Sequence, residues 1–276
     1  MMLDKLTLTA PDSDLTKEIA SRLLSGHFSH CSYTSTKFHH EVVIFHKSRK
    51  EVGGHLISIH LQPRFSTTSE LKVEINPSHF SSFGAMKKIL ELVSDPNDLR
   101  ITRIDHAVDI SGFSVNELHS RLIFSRKKVR ELYKNGVDLE SLYLGQPPER
   151  LLIYNKTLQE GSSGVLKARI ELQQYREKVP HVSLRNLADY QSYKPFERLK
   201  FQTVLADPSD PLSQRKCDEL NTYFLTKGAQ ATFKALNRHS NFKRDYSHIL
   251  KPDVSVPNLD EIYQENLRTY FQEETL

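Results

Sequence analysis

The sequence predicts an α+β protein: an antiparallel sheet with helices, a pseudo-duplicated lobe over residues 1–190 and a mainly helical C-terminal region over 191–276. Three observations predict it. Period-two alternation of apolar and polar residues marks strands, apolar residues at helical spacing fall between them, and the same order of elements occurs twice. The last strand of each set also carries a similar phrase, Leu71-Lys-Val-Glu-Ile75 and Ala168-Arg-Ile-Glu-Leu172. The alternative is two unrelated sets that share an order.

In the first set, over 1–96, strands are expected at 3–9, 41–46, 55–62 and 71–75. Helices are expected at 13–24, behind an Asp12/Ser13 cap, and at about 81–93. In the second set, over 97–190, a strand at 100–110 leads to Ser114. Glu117 follows three residues later and completes a capping box, in which each side chain takes the other residue's backbone N–H; the helix is expected to reach about Tyr133. Strands follow at 141–144, 150–155 and 166–174, then a helix at 183–190. Beyond Pro195 the spacing is mainly helical, at 217–225 and 228–238. Asp207-Pro-Ser-Asp-Pro211 interrupts it, because proline lacks an N–H and clashes with the preceding turn. A lobe boundary is expected between about 179 and 211.

Composition narrows the class. With 38% hydrophobic and 26% charged residues, the chain has enough apolar side chains for a core, which excludes disorder over most of its length. No run nears the ~18 consecutive apolar residues of a membrane span, and Asp4 and Lys5 fall where a secretion signal is apolar. A cytoplasmic protein without a membrane partner is expected. Cys31 and Cys217 are too far apart to form a motif, and no Cys or Cys/His set has zinc spacing. A formal charge of +4 argues only weakly for a polyanionic partner. Its distribution says more: Arg126, Lys127, Lys128 and Arg130 form one basic cluster, and Arg238, His239, Lys243 and Arg244 another. Both suit phosphate contacts, the alternative being solvated helix faces.

Chemistry concentrates in Arg103-Ile-Asp-His-Ala-Val-Asp109. A strand sends Arg103, Asp105, Ala107 and Asp109 to one face and Ile104, His106 and Val108 to the other. Two carboxylates two residues apart on one face stand about 7 Å from each other. They repel unless a cation lies beside them, and a hard ion such as Mg2+ or Mn2+ suits oxygen ligands. The alternative is that Arg103 pairs with Asp105 while Asp109 starts a loop. The next hairpin, residues 142–156, turns at Gly145 and Pro147-Pro148 and returns with Leu152, Tyr154 and Lys156 on one face. A third strand delivers Arg169, Glu171 and Gln173 together. Charged groups inside a sheet need partners, and a tyrosine beside acids and a lysine suits attack on phosphorus once its phenol, with a reference pKa of ~10, is activated. The plainer reading of Tyr154 is a strand aromatic.

These phrases carry a resemblance. Arg103-Ile-Asp-x-Ala-x-Asp109, Leu142-Tyr-Leu-Gly followed by Leu152-Ile-Tyr-Asn-Lys156, and Arg169-Ile-Glu-Leu172 occur in the order and spacing of the Rep_trans rolling-circle replication initiators of small plasmids and filamentous phages. Val73-Glu-Ile-Asn-Pro77 resembles the family's upstream strand, and the likeness covers roughly residues 40–190. The resemblance implies a metal-dependent, origin-specific nickase that keeps the 5′ end on a tyrosine, leaves a 3′ hydroxyl for a polymerase, and later rejoins the strand. Carried over residue by residue, it implies Tyr154 as nucleophile with Tyr143 as rival, and Lys156 and Arg169 as phosphate contacts. Asp105, Asp109 and Glu171 are the expected metal carboxylates, a set that rests more on strand geometry and charge than on the family. Expected partners are double- and single-stranded origin DNA, with Arg103 and Arg150 among the contacts, a host helicase and polymerase, and a second copy in a homodimer. The chain departs from the family at Gln146-Pro147, where relatives continue with Ser-Arg; Arg150 is the available substitute. It also lacks the histidine-hydrophobe-histidine pair of the wider rolling-circle nucleases, and His106 is expected to be packed. A conjugative relaxase shares the chemistry; a DNA-binding regulator without turnover and an RNA-binding or structural protein are the alternatives of other classes.

Overall fold

The computed structural model describes residues 3–10, 30–33, 36–45, 55–65, 71–91, 95, 98–124, 129–136, 138–161, 164–180, 183–237 and 241–272. The fold is α+β. Its strands are β1 (Leu3–Ala10), β2 (His30–Tyr33), β3 (Phe38–Phe45), β4 (His55–Pro63), β5 (Leu71–Ile75), β6 (Arg100–Ser111), β7 (Leu122–Phe124), β8 (Val129–Asn135), β9 (Asp138–Gln146), β10 (Glu149–Asn155), β11 (Lys167–Tyr175), β12 (Leu199–Val204) and β13 (Leu250–Pro252). Its helices are α1 (Phe83–Glu91), α2 (Val115–Arg121), α3 (Lys156–Gln159), α4 (Ser213–Lys227), α5 (Ala229–Leu236), α6 (Phe242–Tyr246) and α7 (Leu259–Gln272). The chain forms two compact units: Met1–Ala107 with Gln173–Tyr193 and Tyr263–Leu276, and Val108–Leu172 with Lys194–Ile262. Residues beyond 190 are thus divided between the units, and β6, β11 and α7 each supply residues to both.

In the first unit the strand order is β2-β3-β4-β5-β1-β6, antiparallel at every junction. Alternation sets the faces: on β5, Leu71, Val73 and Ile75 are buried while Lys72 and Glu74 are half-buried. Across strands, Ile57, Ile59 and Leu61 of β4 and Leu6 and Leu8 of β1 join the apolar side. Each such fully buried side chain stabilises the fold by about 2 kcal/mol. On the polar side, the His60 imidazole, with Nε2 3.6 Å from Glu74 Oε2, holds the Glu74 carboxyl far below the usual range; burial opposes this, and Lys5 and Lys72 assist it. Met86 and Leu90 of α1 are buried, and Phe83 packs against Phe271 of α7 with ring centroids 4.8 Å apart and the rings tilted at 52°. The helix expected at 13–24 lies outside the described residues.

His106 is packed, as its place on the apolar face of β6 predicts. It is 0% exposed, with Nε2 3.1 Å from Gln174 Oε1 and Nδ1 2.7 Å from the Tyr263 hydroxyl. A neutral imidazole satisfies both contacts by donating from Nε2 and accepting at Nδ1. Burial lowers its pKa to about 3. Between there and the unfolded value of ~6.5 the unfolded chain holds a proton that the folded chain does not, so stability rises with pH across this window. Acidification from pH 7 to 4 should therefore cost up to ~3 kcal/mol through this residue, about 1.4 per pH unit below the unfolded pKa. Urea melts as a function of pH should show a shallower dependence in His106→Gln.

In the second unit the order is β6-β11-β10-β9-β8, beside a smaller sheet β13-β12-β7. The sequence of strands β8-β9-β10-β11-β6 repeats that of β2-β3-β4-β5-β1 in the other unit. Ser114 and Glu117 form the capping box that their spacing predicts. The helix it starts, however, stops at Arg121 instead of reaching Tyr133. Leu122, Ile123 and Phe124 alternate buried and half-buried, and they pair with β12 as a strand; β8 then pairs with β9. The helical reading failed because apolar residues here suit both periods, and the pairing strand β12 lies 75 residues further along (124 to 199). Strands β12 and β13 likewise interrupt the expected helical C-terminal region, whose predicted helices at 217–225 and 228–238 correspond to α4 and α5.

The C-terminal helices build a second core from Val204, Cys217, Leu220, Phe224, Ala229 and Ile249. Gly228, between α4 and α5, has φ +78° and ψ 153°, a conformation that L side chains rarely adopt. A Cβ there would also overlap the ring of His119 on α2. Gly228→Ala is therefore expected to destabilise the protein by on the order of 3 kcal/mol, measurable as a lower urea midpoint. Among the described residues, no helix is long and apolar enough to cross a membrane.

Candidate active site

Successive strands β6, β11, β10 and β9 carry Asp109, Arg169, Tyr154 and Tyr143 within the second unit. On each strand the neighbouring apolar residues are buried: Val108 and Ile110, Ala168 and Ile170, Leu151 and Ile153, Leu142 and Leu144. Helix α2 lies against β9 and β10, so these apolar residues define the core face. Alternation then turns the polar residues to the other face.

An ion pair anchors that face. Arg169 donates from Nε to Asp109 Oδ1 at 2.6 Å and from Nη2 to Oδ2 at 2.8 Å, a bidentate fork. Burial works against the charged form of Asp109, but Arg169, with help from Lys156, holds its carboxyl below the usual range. Arg169 is 7% exposed, so its guanidinium is fixed by packing as well as by Asp109. Lys156 follows β10 as the first residue of α3 and donates to Gln159 at 2.7 Å, with Glu160 4.0 Å away. Asn155 caps this turn: its Oδ1 accepts from the Leu158 N–H at 3.0 Å.

Tyr154 is half-buried on β10, on the side opposite the buried Leu151 and Ile153. Its phenol therefore belongs to the polar face and not to the apolar interior. Tyr143, also half-buried, faces Leu152 across the β9–β10 ladder and lies under the Arg150 guanidinium, 5.0 Å from the ring centroid. Arg150 thus stacks on the rival tyrosine. The hairpin closes between Gln146 and Glu149 through a cis Pro147-Pro148 bond. Glu149 and Arg198 were not singled out by the sequence. Glu149 is buried and accepts from Arg198 Nη1 at 2.8 and 3.1 Å, while Arg198 also lies over Phe124. An acid directly after a proline turn was the available signal for Glu149; Arg198 gave none.

The metal carboxylates expected from the sequence are not gathered. Among the described residues, no three His, Cys, Asp or Glu side chains group closely enough to hold a metal ion. Both oxygens of Asp109 are engaged by Arg169. Asp105, in the first unit, is bound by Arg103 through Nε at 2.8 Å and Nη2 at 2.5 Å. Burial pushes the Asp105 carboxyl up against the pull of that guanidinium. Glu171 is buried on β11. Each aspartate has a guanidinium within reach in its own sheet, which satisfies its charge without an ion. As arranged, these residues do not fit a three-carboxylate metal centre.

No family model matches the sequence, and no curated protein matches it. Among solved structures the chain is similar to the rolling circle replication initiator protein from Geobacillus stearothermophilus, at 16% identity and a TM-score of 0.46, over 80% of this chain and 96% of that one.

The other expected DNA contacts are described only in part. Arg103 pairs with Asp105 and lies over the Tyr175 ring at 4.9 Å. Arg126, Lys127, Lys128 and Arg238 fall outside the described residues, and of Arg130 and Lys243 the backbone alone is described, on β8 and α6. Arg244 is exposed and pairs with Asp245 at 2.9 Å. The polar face of β6, β11 and β10 therefore offers one fixed guanidinium, one ammonium close to the charge of Asp109, and a phenol on the adjacent strand. Such a set can bind a phosphodiester and present an oxygen nucleophile to it.

Proposed function

We propose that the protein nicks and rejoins one DNA strand at a replication origin, acting as a rolling-circle replication initiator with Tyr154 as nucleophile. The observation that carries the reading is the bidentate Asp109–Arg169 pair, which brings two of the three motif phrases onto one polar face, with the third supplying Tyr154 on the next strand. In the reaction, the Tyr154 phenol oxygen attacks phosphorus, forming a P–O bond to the protein as the bond to the 3′ oxygen breaks. The phenol proton passes to solvent, and the departing 3′ alkoxide takes up a proton to become the 3′ hydroxyl. The 5′ end stays on the protein as a phosphotyrosine. Attack by a 3′ hydroxyl on that linkage reverses the step and closes the strand, conserving the bond.

Arg169 and Lys156 bind the non-bridging oxygens, where negative charge builds up in the transition state. A guanidinium already held by Asp109 needs no reorientation when the phosphate arrives. The test is a denaturing gel of purified protein incubated with a supercoiled plasmid carrying the origin. Nicked circles with protein on the 5′ end are expected. Binding that weakens steeply with salt, without any covalent species, would instead identify a DNA-binding regulator.

A further inference from the structure

Two lysines and a glutamate meet where the chain passes from β10 through α3 to β11. Glu160 Oε1 lies 4.0 Å from Lys156 Nζ and its Oε2 lies 3.6 Å from Lys167 Nζ, so each carboxylate oxygen faces a different ammonium. Exposed ion pairs are common and hold weakly. This one differs in how unequally its members are held. The Lys156 side chain is only 16% exposed, donates to Gln159 Oε1 at 2.7 Å, and carries a charge that reaches Asp109 on the motif face. The start of β11 is fixed through Thr157, whose Oγ1 accepts from the Lys167 N–H at 2.7 Å. Glu160, which caps the end of α3, stands farther from both lysines than a hydrogen bond reaches. The contrast with Asp109 is direct: that carboxylate grips Arg169 through bonds of 2.6 and 2.8 Å.

We propose that Lys156 and Lys167 form a phosphate subsite at this end of the site, and that Glu160 occupies it in the free protein until a DNA phosphate displaces it. The proposal rests on the nicking function above for its ligand, and adds to that site Lys167 and an internal competitor. A phosphodiester presents what Glu160 presents, two oxygens sharing one negative charge, and it can take both ammonium groups in the same way. Glu160 relieves the repulsion between the two cations before DNA arrives. Its displacement then lowers the affinity for DNA, whereas the tightly forked Asp109 stays on Arg169 throughout.

The test is the affinity for a fluorescein-labelled thymidine oligonucleotide of about 20 residues, read by anisotropy at about 0.1 M salt, where phosphate contacts are felt without sequence. Glu160→Gln should bind this probe about three- to tenfold more tightly than wild type, and Lys167→Gln at least about threefold more weakly. In a Lys156→Gln/Lys167→Gln background, adding Glu160→Gln should change the affinity by less than about twofold, because the cations it competes for are gone. Glu91→Gln on α1 is the control: it removes the same charge and the same kind of pair, with Lys87 at 3.9 Å, and should stay within about twofold of wild type. A Glu160→Gln protein that binds no more tightly than wild type overturns the proposal. So does an equal gain in Glu91→Gln, which would make the effect one of net charge alone. Nicking is read separately on the supercoiled origin plasmid; a wild-type protein that forms no covalent adduct there overturns the nicking function, and the affinities still decide the subsite.

Discussion

Tyr154→Phe is expected to lower covalent adduct formation at least ~1,000-fold, because removing the attacking oxygen leaves only binding and charge stabilisation. The substitution deletes one hydroxyl from a half-buried side chain on the polar face of β10, so the fold should be retained, with the melting temperature and DNA affinity close to wild type. Tyr143→Phe is the matched comparison. Its ring stays under the Arg150 guanidinium, and adduct formation should remain within a few-fold. A gel in which Tyr154→Phe still carries the labelled 5′ end while Tyr143→Phe does not would transfer the nucleophile to β9. Peptide mapping of the adduct gives the same answer without mutation.

The second large effect is expected at Arg169. Arg169→Ala should lower nicking ~100- to 1,000-fold by removing a charge from the developing phosphorane. It should also destabilise the protein by about 2–3 kcal/mol, since it strands a carboxylate that is only partly exposed. Arg169→Lys separates the two effects: the charge remains and the fork is lost. If Asp109 acts by aiming Arg169, then Asp109→Asn and Arg169→Lys should be strongly non-additive in nicking rate, with a coupling of about 1.5–3 kcal/mol. Additive losses would make Asp109 an independent contributor. Because the folded Asp109 carboxyl lies below its ordinary range, this coupling should persist below the ordinary carboxylate pKa of ~3.9 and vanish only as acid protonates the folded group.

Most strands were legible from alternation, because sheets with one apolar face write that face into the sequence; β1, β4, β5, β6, β10 and β11 follow it to within a residue or two. The failure between Leu122 and Tyr133 has a physical origin. A capping box announces where a helix begins, but nothing local announced its end at Arg121, which is set by pairing with β12 far along the chain. At the candidate site the residue types were legible and the pairings were not. Asp105 and Asp109 looked alike in the sequence, two acids on one strand face. One takes Arg103 from two residues away on its own strand, a pairing that the sequence had allowed, and the other takes Arg169 from β11. Choosing between an ion and a guanidinium requires knowing which strands are neighbours. His106 was legible because a histidine flanked by apolar residues on the inner face of a strand is more often packed than reactive.

The segment from Tyr263 onward belongs to the same unit as Leu3–Ala10, and its hydroxyl closes the hydrogen bonding of His106. During translation the amino-terminal unit therefore lacks a part of its interior until the segment from Tyr263 leaves the ribosome. A chain stopped short of Tyr263 would keep every motif residue discussed above and still expose an unsatisfied buried imidazole, so a premature stop there should yield material that chaperones and proteases clear.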